Sequence, residues 1–138
     1  MTDAMKIPNC VFVYGTLKRG QLRETAWPHA PSSVQAATIQ ATLYDLGPYP
    51  AITKGDDLVR GEVWCFQREH LDDTLRALDA IEGYQQGPID LYVRRVVECT
   101  VANSEQVSAF AYFYASPADL TDQNRIPTGD EGFCSWPA

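Results

Sequence analysis

The sequence predicts an α+β fold: a small, mixed but mostly antiparallel sheet curled into a partial barrel, with one main helix packed on it. Three observations predict it. Short apolar runs rich in Val, Thr and aromatic residues, cut by Gly and Pro, read as strands. A single segment, residues 71–81, carries a clear helical period. Strands and helices do not alternate regularly, which disfavours a doubly wound parallel sheet. The 138 residues, 45% of them apolar, suit one domain with a real core.

The elements follow in order. Residues 1–8 form a loose lead-in. Residues 10–14 read as a short buried strand, and residues 15–20 as its loop. Residues 22–29 hold a turn of helix, broken by Pro28 and Pro31. Residues 34–46 read as one long strand or two, stopped by Gly47-Pro48-Tyr49-Pro50. Residues 59–66 are the next strand. Leu71, Leu75, Leu78 and Ile81 then recur at helical spacing, with Asp72, Asp73, Arg76 and Asp79 between them. That pattern is an amphipathic helix of about three turns, with Gly83 as its stop. On residues 92–101, Val93, Val97, Cys99 and Val101 share a face that Arg95 interrupts. Residues 107–114 form a last strand, and residues 116–138 read as irregular.

Composition narrows the function. A net charge of −7, with few and scattered Lys and Arg, argues against nucleic acid as a partner. The apolar run at 11–13 is far too short for a signal peptide or membrane span, so a soluble, cytoplasmic protein without a membrane partner is expected. Cysteines 10, 65, 99 and 134 form no Cys-x-x-Cys pair, and His29 and His70 show no ligand spacing. No metal or other cofactor is expected. The cysteines in apolar stretches (10, 65 and 99) read as reduced core thiols.

Two motifs carry chemistry. In Val11-Phe12-Val13-Tyr14-Gly15-Thr16-Leu17 a strand feeds a glycine turn that can aim successive N–H groups at an anion or a developing oxyanion. Gly15 allows close approach, Thr16 adds a hydroxyl, and Tyr14 adds a flat wall and a phenol. The spacing is neither a P-loop nor a dinucleotide fingerprint. In Leu78-Asp79-Ala80-Ile81-Glu82-Gly83-Tyr84 a carboxyl group, Glu82, ends the helix beside its apolar stripe. A semi-apolar setting and the helix C-terminus both raise its pKa toward neutrality, where one group can accept and return a proton. Asp79, one turn earlier, is expected to be solvated or paired with Arg76. One of Arg94 and Arg95 is expected in a structural ion pair and the other in solvent. Tyr112 and Tyr114 share parity with Phe110 and are candidates to line a cavity, with Tyr49-Pro50 at its rim.

Together with Leu43-Tyr44-Asp45-Leu46-Gly47-Pro48-Tyr49-Pro50, Val59-Arg60-Gly61-Glu62-Val63-Trp64 and Tyr92-Val93-Arg94-Arg95, these motifs resemble the gamma-glutamylcyclotransferase-like (AIG2-like) proteins over residues 10–115. The resemblance implies a barrel-centred α+β fold with a cavity and release of 5-oxoproline from a gamma-glutamyl amine or amino acid. It implies that Tyr14, Gly15, Thr16 and Leu17 hold the gamma-glutamyl group and that Glu82 is the acid/base; Tyr114 is a substrate-contact candidate from its strand parity alone, with a core position as the alternative. Near the end, Gly129-Asp130-Glu131-Gly132-Phe133 departs from a Gly-Asp-Trp-like piece of the family, so the packing of the tail is not implied. The rival reading is a non-catalytic binding or interaction module on the same fold.

Overall fold

The computed structural model describes residues 7–84 and 91–137, so residues 1–6 of the expected lead-in lie outside the described residues. Five strands close into a barrel: β1 (Cys10–Val13), β2 (Ser33–Asp45), β3 (Pro50–Cys65), β4 (Tyr92–Thr100) and β5 (Gln106–Tyr114). Their order around it is β1-β3-β2-β4-β5. Only the closing β1–β5 pair is parallel; the others are antiparallel. One helix, α1 (Leu71–Glu82), packs outside and ends at Gly83 with φ 69°, a left-handed conformation that suits glycine. Among the described residues no helix is long and apolar enough to cross a membrane.

Alternation along β1 builds two cores. Cys10, Phe12 and Tyr14 join Ile39, Ile52, Val63 and Phe113 in the barrel interior. Val11 and Val13 face the other way, toward Leu71, Leu75 and Leu78 of α1 and Tyr92 and Tyr112. Every residue of β1 is therefore buried, and the strand reads as a continuous apolar run.

Two expectations change. β3 starts at Pro50, well before residue 59, and pairs with β2 from a turn at residues 46–49. Lys54-Gly55-Asp56 carries turn-like residues, but it is a bulge between the Ala41–Asp57 and Thr42–Thr53 pairs, where the register shifts. A Cβ on Gly55 would collide with Thr42. Cys10 and Cys65 are joined by a disulfide, not reduced. The β1–β3 register sets them directly opposite each other, a proximity that a separation of 55 residues hides. Cys99 and Cys134 are free and buried. The tail is irregular, as expected, but it is anchored: Trp136 is buried in the barrel core and its indole donates to Asp45 Oδ1 at 3.1 Å.

Candidate active site

At one end of the barrel, where its interior meets the helix layer, lies a cavity of about 80 Å³. That is room for several water molecules or a small acyl group. Tyr14, Gly15, Thr16, Leu17 and Glu82 all line it. The structure thus brings the glycine loop and the helix-terminal carboxyl into one hollow.

The loop is held by its carbonyls. The Gly15 carbonyl accepts from the Lys18 amide (3.1 Å), that of Thr16 from the Arg23 amide (2.7 Å) and that of Leu17 from Trp27 Nε1 (3.0 Å). Trp27 in turn stacks on Trp64, with centroids 4.5 Å apart, and Lys18 Nζ donates to the Trp136 carbonyl. Among the described residues, no protein acceptor meets the N–H groups of Gly15, Thr16 or Leu17. The Tyr14 hydroxyl donates to the Tyr112 carbonyl at 2.6 Å. Gly15 lies against Pro50, and a Cβ there would sit 2.7 Å from two ring carbons. Gly15→Ala is therefore expected to cost about 1–3 kcal/mol through overpacking. Displacement of the loop should lower activity by about ten- to a hundredfold. Thermal unfolding and steady-state rates check both.

Glu82 is the last residue of α1 and is half-buried. Burial pushes its carboxyl up from 4.5 to about 7, and the charge of Arg23 opposes this. Burial also raises the Tyr14 and Tyr92 phenols well above their ordinary value, with Glu82 adding to each. Both therefore remain protonated donors, and Tyr92 donates to the Pro50 carbonyl at 2.6 Å. The shift at Glu82 has a sign in stability. Between pH 4.5 and 7 the folded state holds this proton more tightly than the unfolded chain does. Stability must fall as pH rises through that window. Glu82→Gln is expected to be neutral in stability at about pH 4 and stabilising by up to about 3 kcal/mol at about pH 8. Denaturant unfolding at both pH values checks this.

Asp79 departs from expectation. It pairs with Arg94, not Arg76, through Nη1 contacts of 2.7 and 2.6 Å, and accepts the Tyr112 hydroxyl at 2.6 Å. Arg76 instead reaches Asp73 at 3.5 Å, and Arg95 is exposed. The network ties the turn of α1 that precedes Glu82 to β4 and β5. Tyr112 lines the cavity; Tyr114 stands outside the lining, edge-on to Tyr92 with centroids 5.6 Å apart. Tyr49 and Pro50 line it too, as do Tyr92, Arg23, Ile81 and Leu91. Sequence reasoning passed over Tyr92 and Arg23 as site residues. Arg23 precedes a single short helical turn, with no period to point to it. Away from the cavity, the two histidines stack with centroids 4.0 Å apart, and His29 Nε2 lies 3.2 Å from Asp73.

The model of the family "Gamma-glutamyl cyclotransferase, AIG2-like" matches residues 11–136. The chain belongs to this family. The chain is 42% identical over 121 residues to a Vibrio cholerae protein named "Putative gamma-glutamylcyclotransferase", a match covering 87% of the chain and 92% of that protein. It is 36% identical over 102 residues to the gamma-L-glutamyl-butirosin B gamma-glutamyl cyclotransferase of Niallia circulans, covering 71% of the chain and 60% of that protein. In fold it is similar to an AIG2-like protein of Mus musculus, with a TM-score of 0.61 at 23% identity, over 94% of this chain and 96% of that one. Family membership supports gamma-glutamyl cyclotransferase-type chemistry in general terms.

Proposed function

We propose that this protein releases 5-oxoproline from a gamma-glutamyl amine or amino acid, with Glu82 as the single acid/base. The observation that carries the reading is one cavity lined both by a carboxyl raised to about 7 and by a loop whose amides meet no protein acceptor among the described residues.

The substrate's neutral α-amine attacks its own γ-carbonyl carbon. A C–N bond forms, and ionised Glu82 takes the proton that the attacking nitrogen gives up. The carbonyl oxygen becomes an oxyanion. The amides of Gly15, Thr16 and Leu17, which line the cavity, would receive either that oxyanion or the substrate α-carboxylate; one well-aimed oxyanion donor is worth about 3–4 kcal/mol. Glu82, now a carboxylic acid, returns the proton to the departing nitrogen, the old C–N bond breaks, and 5-oxoproline and a free amine leave. The nucleophile belongs to the substrate, so no protein Ser or Cys takes part. Glu82 handles both protons, so no step calls on a metal or cofactor. The walls fold the substrate so that amine meets carbonyl, which alone lowers the barrier by several kcal/mol.

The reading is tested by incubating the protein with a panel of gamma-glutamyl amino acids and amines and following 5-oxoproline. The reactive state needs ionised Glu82, so kcat is expected to fall below pH about 7. A panel that yields no 5-oxoproline overturns the proposal in favour of a binding module.

A further inference from the structure

Among the described residues, the cavity has two charged side chains in its lining, Glu82 and Arg23. Arg23 is well placed to act there. Its amide is fixed to the Thr16 carbonyl at 2.7 Å, so it springs from the back of the glycine loop. Its side chain is exposed at the mouth, and among the described residues no carboxylate lies within ion-pair distance of it. The lining it shares also holds the aromatic or apolar Tyr49, Pro50, Ile81 and Leu91.

The gamma-glutamyl half of any substrate brings one carboxylate, and an amide-lined turn can hold one anion by itself. Where the turn takes that carboxylate, the anions left for a guanidinium here are ionised Glu82, on which it already bears, and any carboxylate on the departing half. The departing nitrogen must sit at Glu82 to be protonated. In an amino acid, the carboxylate carbon is only two bonds from that nitrogen. Resting on the cyclotransfer reading above, we propose that Arg23 binds the carboxylate of the departing amino acid and so makes gamma-glutamyl-L-amino acids, rather than gamma-glutamyl amines without a carboxylate, the preferred substrates. Arg suits the task because its planar fork matches a carboxylate. Exposure screens it, so the discrimination is about tenfold, not thousandfold.

Gamma-glutamyl-L-alanine and gamma-glutamylethylamine differ only by that carboxylate. The test measures kcat/KM for 5-oxoproline release from each, in the wild type, Arg23→Gln and Arg23→Lys. The wild type is expected to prefer the alanine compound by about tenfold, less at high salt. Arg23→Gln should bring the ratio near one, and Arg23→Lys, which keeps charge but not the fork, should fall between. Arg23 also bears on the Glu82 carboxyl, but that affects both substrates alike and cancels in the ratio. Equal rates for the two compounds in the wild type overturn the inference and leave cyclotransfer standing. So does an Arg23→Gln loss that is equal for both, which would put Arg23 on the glutamyl carboxylate. If neither these two compounds nor any other member of the panel yields 5-oxoproline, the cyclotransfer reading fails and takes this inference with it.

Discussion

Glu82→Gln is expected to lower turnover at least about a hundredfold while leaving substrate affinity within a few-fold. Gln has the size of Glu and keeps much of its hydrogen bonding, so the cavity keeps its shape. Its amide cannot accept a proton from an attacking amine and return it to a leaving one. General acid–base catalysis is worth roughly 10²–10⁴ in rate, and here one group serves both transfers. Release of 5-oxoproline gives the rate, and calorimetric titration with an unreacted substrate gives the affinity. Because the same substitution should stabilise the fold at alkaline pH, a loss of turnover cannot be put down to unfolding. Undiminished turnover would remove Glu82 from the chemistry and leave the cavity without another carboxylate among its described lining residues.

Asp79→Ala is expected to cost about 2–4 kcal/mol of stability and to lower kcat with it. The side chains of Asp79 and Arg94 are only 22% and 20% exposed. Removing the carboxylate strands a guanidinium and the Tyr112 hydroxyl at once. The figure is set below that of a fully buried pair because both side chains keep some water contact. Asp79 lies one turn before Glu82, so loosening its tie to β4 and β5 frees the carboxyl that must meet the substrate. Denaturant unfolding and steady-state rates measure the two effects. Asp79→Asn, which retains one acceptor for Tyr112, should lose less of both. An Asp79→Ala protein as stable and active as the wild type would show that the network positions nothing.

The pattern of what could be read in advance follows the range of the interactions. β1, α1, β4 and β5 were legible because their patterns are local: the continuous apolar run of β1 and the stripe of Leu71, Leu75 and Leu78 need no knowledge of partners. Glu82 and the Tyr14–Leu17 loop were legible as candidates for the same reason, each sitting at a recognisable end of an element. The first part of β3 was not, because Lys54-Gly55-Asp56 carries turn chemistry that the β2 pairing absorbs as a bulge. The Cys10–Cys65 bond depends on strand register. The choice of Arg94 over Arg76 as the partner of Asp79 depends on which strand passes beneath the helix. Arg23 sits at the start of a single short helical turn, too brief to show a face.

By itself, then, the chain's order of residues determined a small α+β barrel with a helix across it, and nominated an amide turn and a terminal glutamate. Only the folded arrangement decided that these two open into the same hollow, which phenols wall it, and which guanidinium stands at its mouth. The physical reason is that periodicity and turn chemistry act within a few residues, whereas strand register and the desolvation of a carboxyl are set by groups distant in sequence.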